Sequence, residues 1–276
     1  MMAGPIGFFD SGVGGLTVLR AVQSRMPDVS TSYLGDNDRA PYGTRSQDEI
    51  FSFALQGARY LFAQECPLVI FACNTASSGA LRRIQQEVLP REFPDRRILG
   101  VVRPGAEALA AATRSGCAMP AGRQVAVFGT NATIASGAYG REVAHLRPDA
   151  QVTEIACPTL ASLVERGEEG SDAARSEIAV ACDAARDADA ALLACTHYAF
   201  VADAFRAALP GVTVLTQEAV IAEKLADYLV RHPEMAARID HSGERGYDTT
   251  GSAETVSALA SRFLGAPVDF RHVSLP

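Results

Sequence analysis

The strongest constraint on this chain is an internal spacing. Phe8-Phe9-Asp10-Ser11-Gly12 is echoed 119 positions later by Val127-Phe128-Gly129-Thr130-Asn131. Tyr33-Leu34-Gly35 is echoed by Glu154-Ile155-Ala156 after 121 positions. Ile70-Phe71-Ala72-Cys73-Asn74-Thr75 is echoed by Leu192-Leu193-Ala194-Cys195-Thr196-His197 after 122. The shared offset reads as two halves of similar topology, each about 120 residues, followed by a C-terminal tail. A chain of 276 residues suffices for one large domain or two of ordinary size.

Short apolar runs alternate with helical patterns along the whole chain, which reads as α/β with mostly parallel strands. Strands are expected at residues 6–9, 31–34, 68–72, 98–101, 124–128, 151–155, 190–194 and 212–215. Helical patterns fill the intervals, notably 47–64, 76–89, 105–113, 134–146 and 171–186, while Pro41, Pro90, Pro94, Pro120, Pro148 and Pro210 punctuate the connections. The expected architecture is two similar domains, each a mostly parallel sheet flanked by helices, with the active site in the cleft between them. In open parallel sheets, ligands sit beyond the carboxyl ends of the strands. Asp10-Ser11, Cys73-Asn74-Thr75, Thr130 and Cys195-Thr196-His197 all fall at such ends. If the halves face each other, Cys73 and Cys195 approach one cleft from opposite sides.

Composition narrows the chemistry. With 48% hydrophobic and 21% charged residues the chain can build a sizeable core, and its net charge of −7 disfavours nucleic acid and anionic membranes as partners. No apolar run approaches the ~18–20 residues of a membrane span, and the N-terminal segment lacks the pattern of a signal peptide. A soluble cytoplasmic protein is expected. The six cysteines, at 66, 73, 117, 157, 182 and 195, form no C-x-x-C pair. In a reducing cytosol they read as free thiols, with Cys66, Cys117 and Cys182 as small hydrophobes. Lys224 is the only lysine. It lies on or near the polar side of a helical pattern, a poor position for the Schiff base of pyridoxal phosphate. In the loop Asp10-Ser11-Gly12-Val13-Gly14-Gly15, Thr17 occupies the third glycine position of a dinucleotide fingerprint, and no G-K-[ST] occurs.

Inverting an amino-acid Cα requires one group to remove the proton from one face and another to return one to the opposite face. Two like residues on facing walls can exchange these roles with the direction of reaction. Thiols suit the work because a cysteine pKa near ~8.5 moves readily toward neutrality. Asn74, Thr75 and Thr196 stand where helix N-termini should begin and could bind a carboxylate. His197 could donate to or tune Cys195, and Asp10 could accept from a substrate ammonium or orient a thiol. Taken singly, the hydroxyl residues are also ordinary N-caps. Two other readings stay open: Cys195 with His197 as the nucleophile and base of an amidase or transferase, which leaves Cys73 idle, and a cleft that binds an amino acid without turnover.

The sequence resembles the glutamate racemase family of the aspartate/glutamate racemase superfamily. The resemblance runs from residue 7 to about residue 200. It rests on Gly7-Phe8-Phe9-Asp10-Ser11-Gly12-Val13-Gly14-Gly15-Leu16-Thr17-Val18, Tyr33-Leu34-Gly35-Asp36 with Pro41-Tyr42-Gly43, and Ala72-Cys73-Asn74-Thr75-Ala76-Ser77. Further matches are Gly129-Thr130 with Thr133, Ser136 and Tyr139, Ala156-Cys157-Pro158 with Leu163-Val164-Glu165, and Cys195-Thr196-His197-Tyr198. It implies cofactor-independent interconversion of L- and D-glutamate for peptidoglycan, with Cys73 handling the proton of the D-form and Cys195 that of the L-form. Asp10, His197 and Glu165 would assist. Ser11, Tyr42, Gly43, Asn74, Thr75, Thr130, Thr133 and Thr196 would hold the substrate, and Cys157 would be packing. A racemase of aspartate or another acidic amino acid would use the same thiol pair. The resemblance also implies a first domain of residues 1–98 plus 212–276, a second of 99–211, and a homodimer as the favoured assembly. The chain departs from the family pattern at Arg103, usually acidic, at Ala199, usually proline, and at Thr216-Gln217, usually Asp-Ser.

Overall fold

The computed structural model describes residues 3–112 and 123–275. Cys117, Pro120 and the end of the helix expected at 105–113 lie outside the described residues. The chain forms two sheets. In the first, strands run in the order β10-β9-β2-β1-β3-β4, and in the second β6-β5-β7-β8. The strands are β1 (Ile6–Asp10), β2 (Thr31–Gly35), β3 (Leu68–Phe71), β4 (Arg97–Gly100), β5 (Arg123–Gly129), β6 (Ala150–Ala156), β7 (Ala190–Ala194), β8 (Thr213–Leu215), β9 (Arg245–Thr249) and β10 (Arg271–His272). All pair in parallel. The order second-first-third-fourth is identical in the two halves, so the 119-to-122-residue offset reflects a repeated topology, and the expected fold class holds.

The central strands are apolar on both faces, as parallel strands covered by helices must be. Alternate residues serve different cores. Ile6, Phe8 and Ile70 of the first sheet share one cluster with Ala126, Phe128, Ala191 and Leu193 of the second. Their neighbours Phe9, Val69 and Phe71 face a cluster on the outer side of the first sheet. Val125, Val127, Ala190 and Leu192 face the corresponding one outside the second. The two sheets are thus joined through a common apolar interior.

Boundaries differ from expectation where strand pairing decides them. β4 pairs with β3 through Gly100, and β8 pairs with β7 through Leu215. The divisions after residues 98 and 211 therefore cut across β4 and detach β8 from its sheet. We propose units of 1–100 with 216–276 and of 101–215. The helix expected over 76–89 is a series of short segments, with a π-helical turn at Ile84–Val88 before Pro90. Pro90 lacks an amide hydrogen and its ring crowds the carbonyl four residues back, which a widened turn accommodates. The helix expected over 134–146 breaks at Gly137, whose φ of +60° is left-handed. The tail contributes β9 and β10 to the first sheet, with the helix Ala253–Leu264 between them in the chain. Among the described residues, no helix is long and apolar enough to cross a membrane.

Phe128 is fully buried, with its ring 4.8 Å from that of Phe205. Phe128→Ala should destabilise the fold by about 3–5 kcal/mol, read as a lower urea midpoint at unchanged slope.

Candidate active site

Corresponding strand ends in the two halves supply the candidate residues. β3 ends at Phe71, and Cys73 caps the helix Asn74–Gly79, its Sγ accepting from Ala76 N at 3.4 Å. In the second half β7 ends at Ala194, and Cys195 precedes the 3-10 turn Thr196–Val201. Both thiols are nearly buried, at 6% and 8% exposure. The usual cap after a strand is Ser, Thr, Asp or Asn, and Thr130 fills that place after β5, accepting from Thr133 N. Cysteine at the equivalent positions puts two thiols where the fold would otherwise put hydroxyls.

Each thiol has its own polar neighbours. Ser11 Oγ lies 3.5 Å from Cys73 Sγ. Burial and the Asp10 charge push the Cys73 thiol up to about 12, against the opposing bonds from Ser11 and Ala76 N–H. On the other side, His197 Nδ1 is 3.7 Å from Cys195 Sγ, and its Nε2 is 2.8 Å from Glu165 Oε1. Burial opposes charge on His197, but the bonds to Cys195 and Glu165 outweigh it and hold the imidazole well above its ordinary 6.5. Glu165 is lowered in turn, burial being overcome by the hydrogen bond and charge of His197. Asp10 stands between the two sets. Burial raises its pKa while His197 lowers it, and it in turn raises Cys73. Its Oδ1 accepts from Gly12 N at 2.8 Å. Among the described residues its buried Oδ2 has no hydrogen-bond partner.

The glycine-rich turn brings the halves together. A Cβ on Gly14 would lie 2.6 Å from His197 Cε1, and one on Gly12 would lie 3.3 Å from Glu165 Oε1. Only a bare backbone lets β1's turn reach that wall of the second unit. Thr17 Oγ1 bonds the Thr196 carbonyl at 3.5 Å across the same seam. A second seam is a triangle of hydroxyls. Thr75 lies 2.9 Å from Thr130 and 3.2 Å from Thr133, which are themselves 3.0 Å apart. Gly43 packs on Thr130, where a Cβ would approach to 2.9 Å.

Two further expected substrate holders, Tyr42 and Asn74, are also engaged by other side chains. The Tyr42 hydroxyl donates to buried Asp36, which also accepts from Arg39 Nε at 2.8 Å and from Thr250 Oγ1 at 2.8 Å. Asn74 is bound by Gln217 and Tyr139. Neither Asp36 nor Gln217 stands out as a site residue in the sequence: Gln217 meets Asn74 across 143 positions, and Asp36 joins its near neighbours Arg39 and Tyr42 to the distant Thr250. Cys157 is buried, raised to about 12 by burial, and its carbonyl accepts from Tyr198 OH. Arg103 bonds Glu107 and Glu142 at 2.9 Å within the second unit, while Lys224 reaches Glu107 Oε2 at 2.9 Å. Among the described residues, no group of three or more His, Cys, Asp and Glu could hold a metal ion.

A raised histidine pKa gives stability that is complete below the unfolded value and is lost as pH rises through the folded one. Replacing Glu165 by Gln removes one of the groups holding that proton. The His197 midpoint, read by NMR of the imidazole, should move down toward 6.5 in Glu165→Gln, and its stabilising effect should vanish at correspondingly lower pH. An unmoved midpoint would contradict the pairing.

The family model for Asp/Glu/hydantoin racemases matches residues 17–225. A glutamate racemase of Paracoccus denitrificans (strain Pd 1222) is 43% identical over 271 residues, covering 96% of this chain and 98% of its own. Among solved structures, a glutamate racemase isoform of Bacillus anthracis aligns with a TM-score of 0.87 at 30% identity, over 99% of this chain and 98% of that one. The glutamate racemase of Francisella tularensis subsp. tularensis SCHU S4, solved in complex with D-glutamate, aligns with a TM-score of 0.85 at 26% identity, again over 99% and 98%. On near-full-length identity and a shared two-sheet fold, the chain belongs to the Asp/Glu/hydantoin racemase family, among its glutamate racemases.

Proposed function

We propose that the protein interconverts L- and D-glutamate directly, using Cys73 and Cys195 as opposed acid and base and no cofactor, and so supplies D-glutamate for peptidoglycan. The observation that carries the reading is the pair of thiols at equivalent strand ends of the two halves, each with its own polar helper. The D-glutamate complex of the Francisella tularensis relative supports glutamate as substrate.

On L-glutamate, Cys195 takes the Cα proton as a thiolate, with His197 holding or returning the proton of that thiol. Cys73, kept as a thiol by burial and by Asp10, gives its proton to the opposite face of the carbanion. The two thiols exchange roles on D-glutamate. Removing a Cα proton builds negative charge toward the α-carboxylate, which N–H and O–H donors stabilise in a water-poor site. Asn74, Thr75 and Thr196 are assigned to that end. The unpartnered Oδ2 of Asp10 is a costly buried acceptor by itself, and the substrate ammonium would satisfy it. Ser11, Tyr42, Gly43, Thr130 and Thr133 are assigned to the remaining contacts, with Glu165 fixing His197.

A positioned acid or base contributes typically 10²–10⁴-fold. Cys73→Ala and Cys195→Ala should each lose racemisation by at least that factor in a polarimetric or coupled assay run on both glutamate and aspartate. Near-normal turnover by either variant would overturn the two-thiol mechanism, and faster turnover of aspartate would reassign the substrate.

A further inference from the structure

A buried amide cluster lies immediately behind Cys73. Gln217 is 4% exposed and sits where the chain leaves β8 to begin the helix Glu218–Arg231. Its Oε1 accepts from Asn74 Nδ2 at 2.7 Å. Its Nε2 donates to Asn74 Oδ1 at 3.1 Å and to Tyr139 OH at 2.5 Å. Tyr139 OH donates to the same Asn74 Oδ1 at 2.6 Å. Gly105 makes the room: a Cβ there would lie 3.1 Å from Gln217 Nε2 and 3.2 Å from the Tyr139 ring. A mid-helix glycine is unfavourable by itself, so its presence here fits a packing requirement.

The donor and acceptor inventory gives this cluster a direction. Both acceptor positions of Asn74 Oδ1 are filled, and one of its two amide hydrogens is bonded to Gln217. Asn74 is therefore left with a single amide hydrogen to offer, and it can only donate. That suits a carboxylate and not an ammonium. Both ends of Gln217 are spent on the arrangement. Tyr139 belongs to the helix Ala138–Leu146 of the second unit, so the cluster also ties the two walls of the cleft.

We propose that Gln217 is a positioning residue for the reaction: it fixes Asn74 beside Cys73 as a dedicated donor to the substrate carboxylate, with Tyr139 as the third member of the unit. The inference rests on the racemase reading above. The residue is one at which this chain departs from the pattern of the family it resembles.

The test is a double-mutant cycle on the full chain with Gln217→Met, which keeps volume but no hydrogen bond, and Tyr139→Phe, which removes one oxygen. KM and kcat are measured in both directions, together with melting temperature. Wild-type enzyme must first interconvert the glutamate enantiomers; failure there overturns the proposed function and this role with it. Given an active wild type, each variant should lower kcat/KM about ten-fold, with a raised KM, the scale of one well-placed hydrogen bond. The double variant should lose little more than either single one, because the residues act through the same amide. A Gln217→Met enzyme within two-fold of wild type in KM and kcat, even with a lowered melting temperature, would reduce the cluster to a structural role and overturn the proposal. So would single losses that simply multiply. Should Gln217→Met not fold, Tyr139→Phe carries the decision: an unchanged KM overturns the proposal, and a raised one with unchanged melting supports it.

Discussion

The close approach of a glycine-rich turn to the opposite wall is the constraint on which the site depends. Gly14 lies so near Thr196 and His197 that no side chain fits between them. This contact brings Asp10, at the end of β1, into the field of His197, at the end of β7. The apolar interior shared by the two sheets supports the approach from below. The hydroxyl triangle and the Asn74–Gln217–Tyr139 cluster hold it from the sides.

The electrostatics follow from that closeness. A buried charge is tolerated when it is paired and hydrogen-bonded. His197 and Glu165 meet that condition through a 2.8 Å contact. Asp10 meets it only in part, since one carboxylate oxygen is bonded to Gly12 and the other is unpartnered among the described residues. The site is thus asymmetric before any substrate arrives. The Cys73 side is a raised thiol beside a raised carboxyl group, and the Cys195 side faces an imidazole whose pKa the bonds to Cys195 and Glu165 raise. An amino acid brings one ammonium and a carboxylate, the complement of the unsatisfied acceptor and the amide donor.

The repeat, the positions of the first eight strands and the placing of Cys73 and Cys195 at strand ends were legible in the sequence. Central parallel strands are near-continuous apolar runs, and their ends are marked by an abrupt change to polar residues. The tail was not legible for the same reason. β9 reads Arg-Gly-Tyr-Asp-Thr, with its interior supplied by Asp248 and Thr249 instead of aliphatic side chains. Asp248 is satisfied by Tyr60 and Arg271, contacts that no local pattern announces. Helix interruptions at Gly137 and before Pro90 were marked by those residues, but periodicity carried the expected helices through them. Gln217 registered only as a departure from the family pattern. Its role came from a partner 143 positions away.

Two bases on opposite faces leave a distinct isotopic record. With L-glutamate in D₂O, purified enzyme and no pyridoxal phosphate, the first D-glutamate formed should carry deuterium at Cα while the remaining L-glutamate keeps its hydrogen. Product that retains the substrate's own Cα hydrogen, or an absence of any exchange, would contradict proton transfer between opposed thiols.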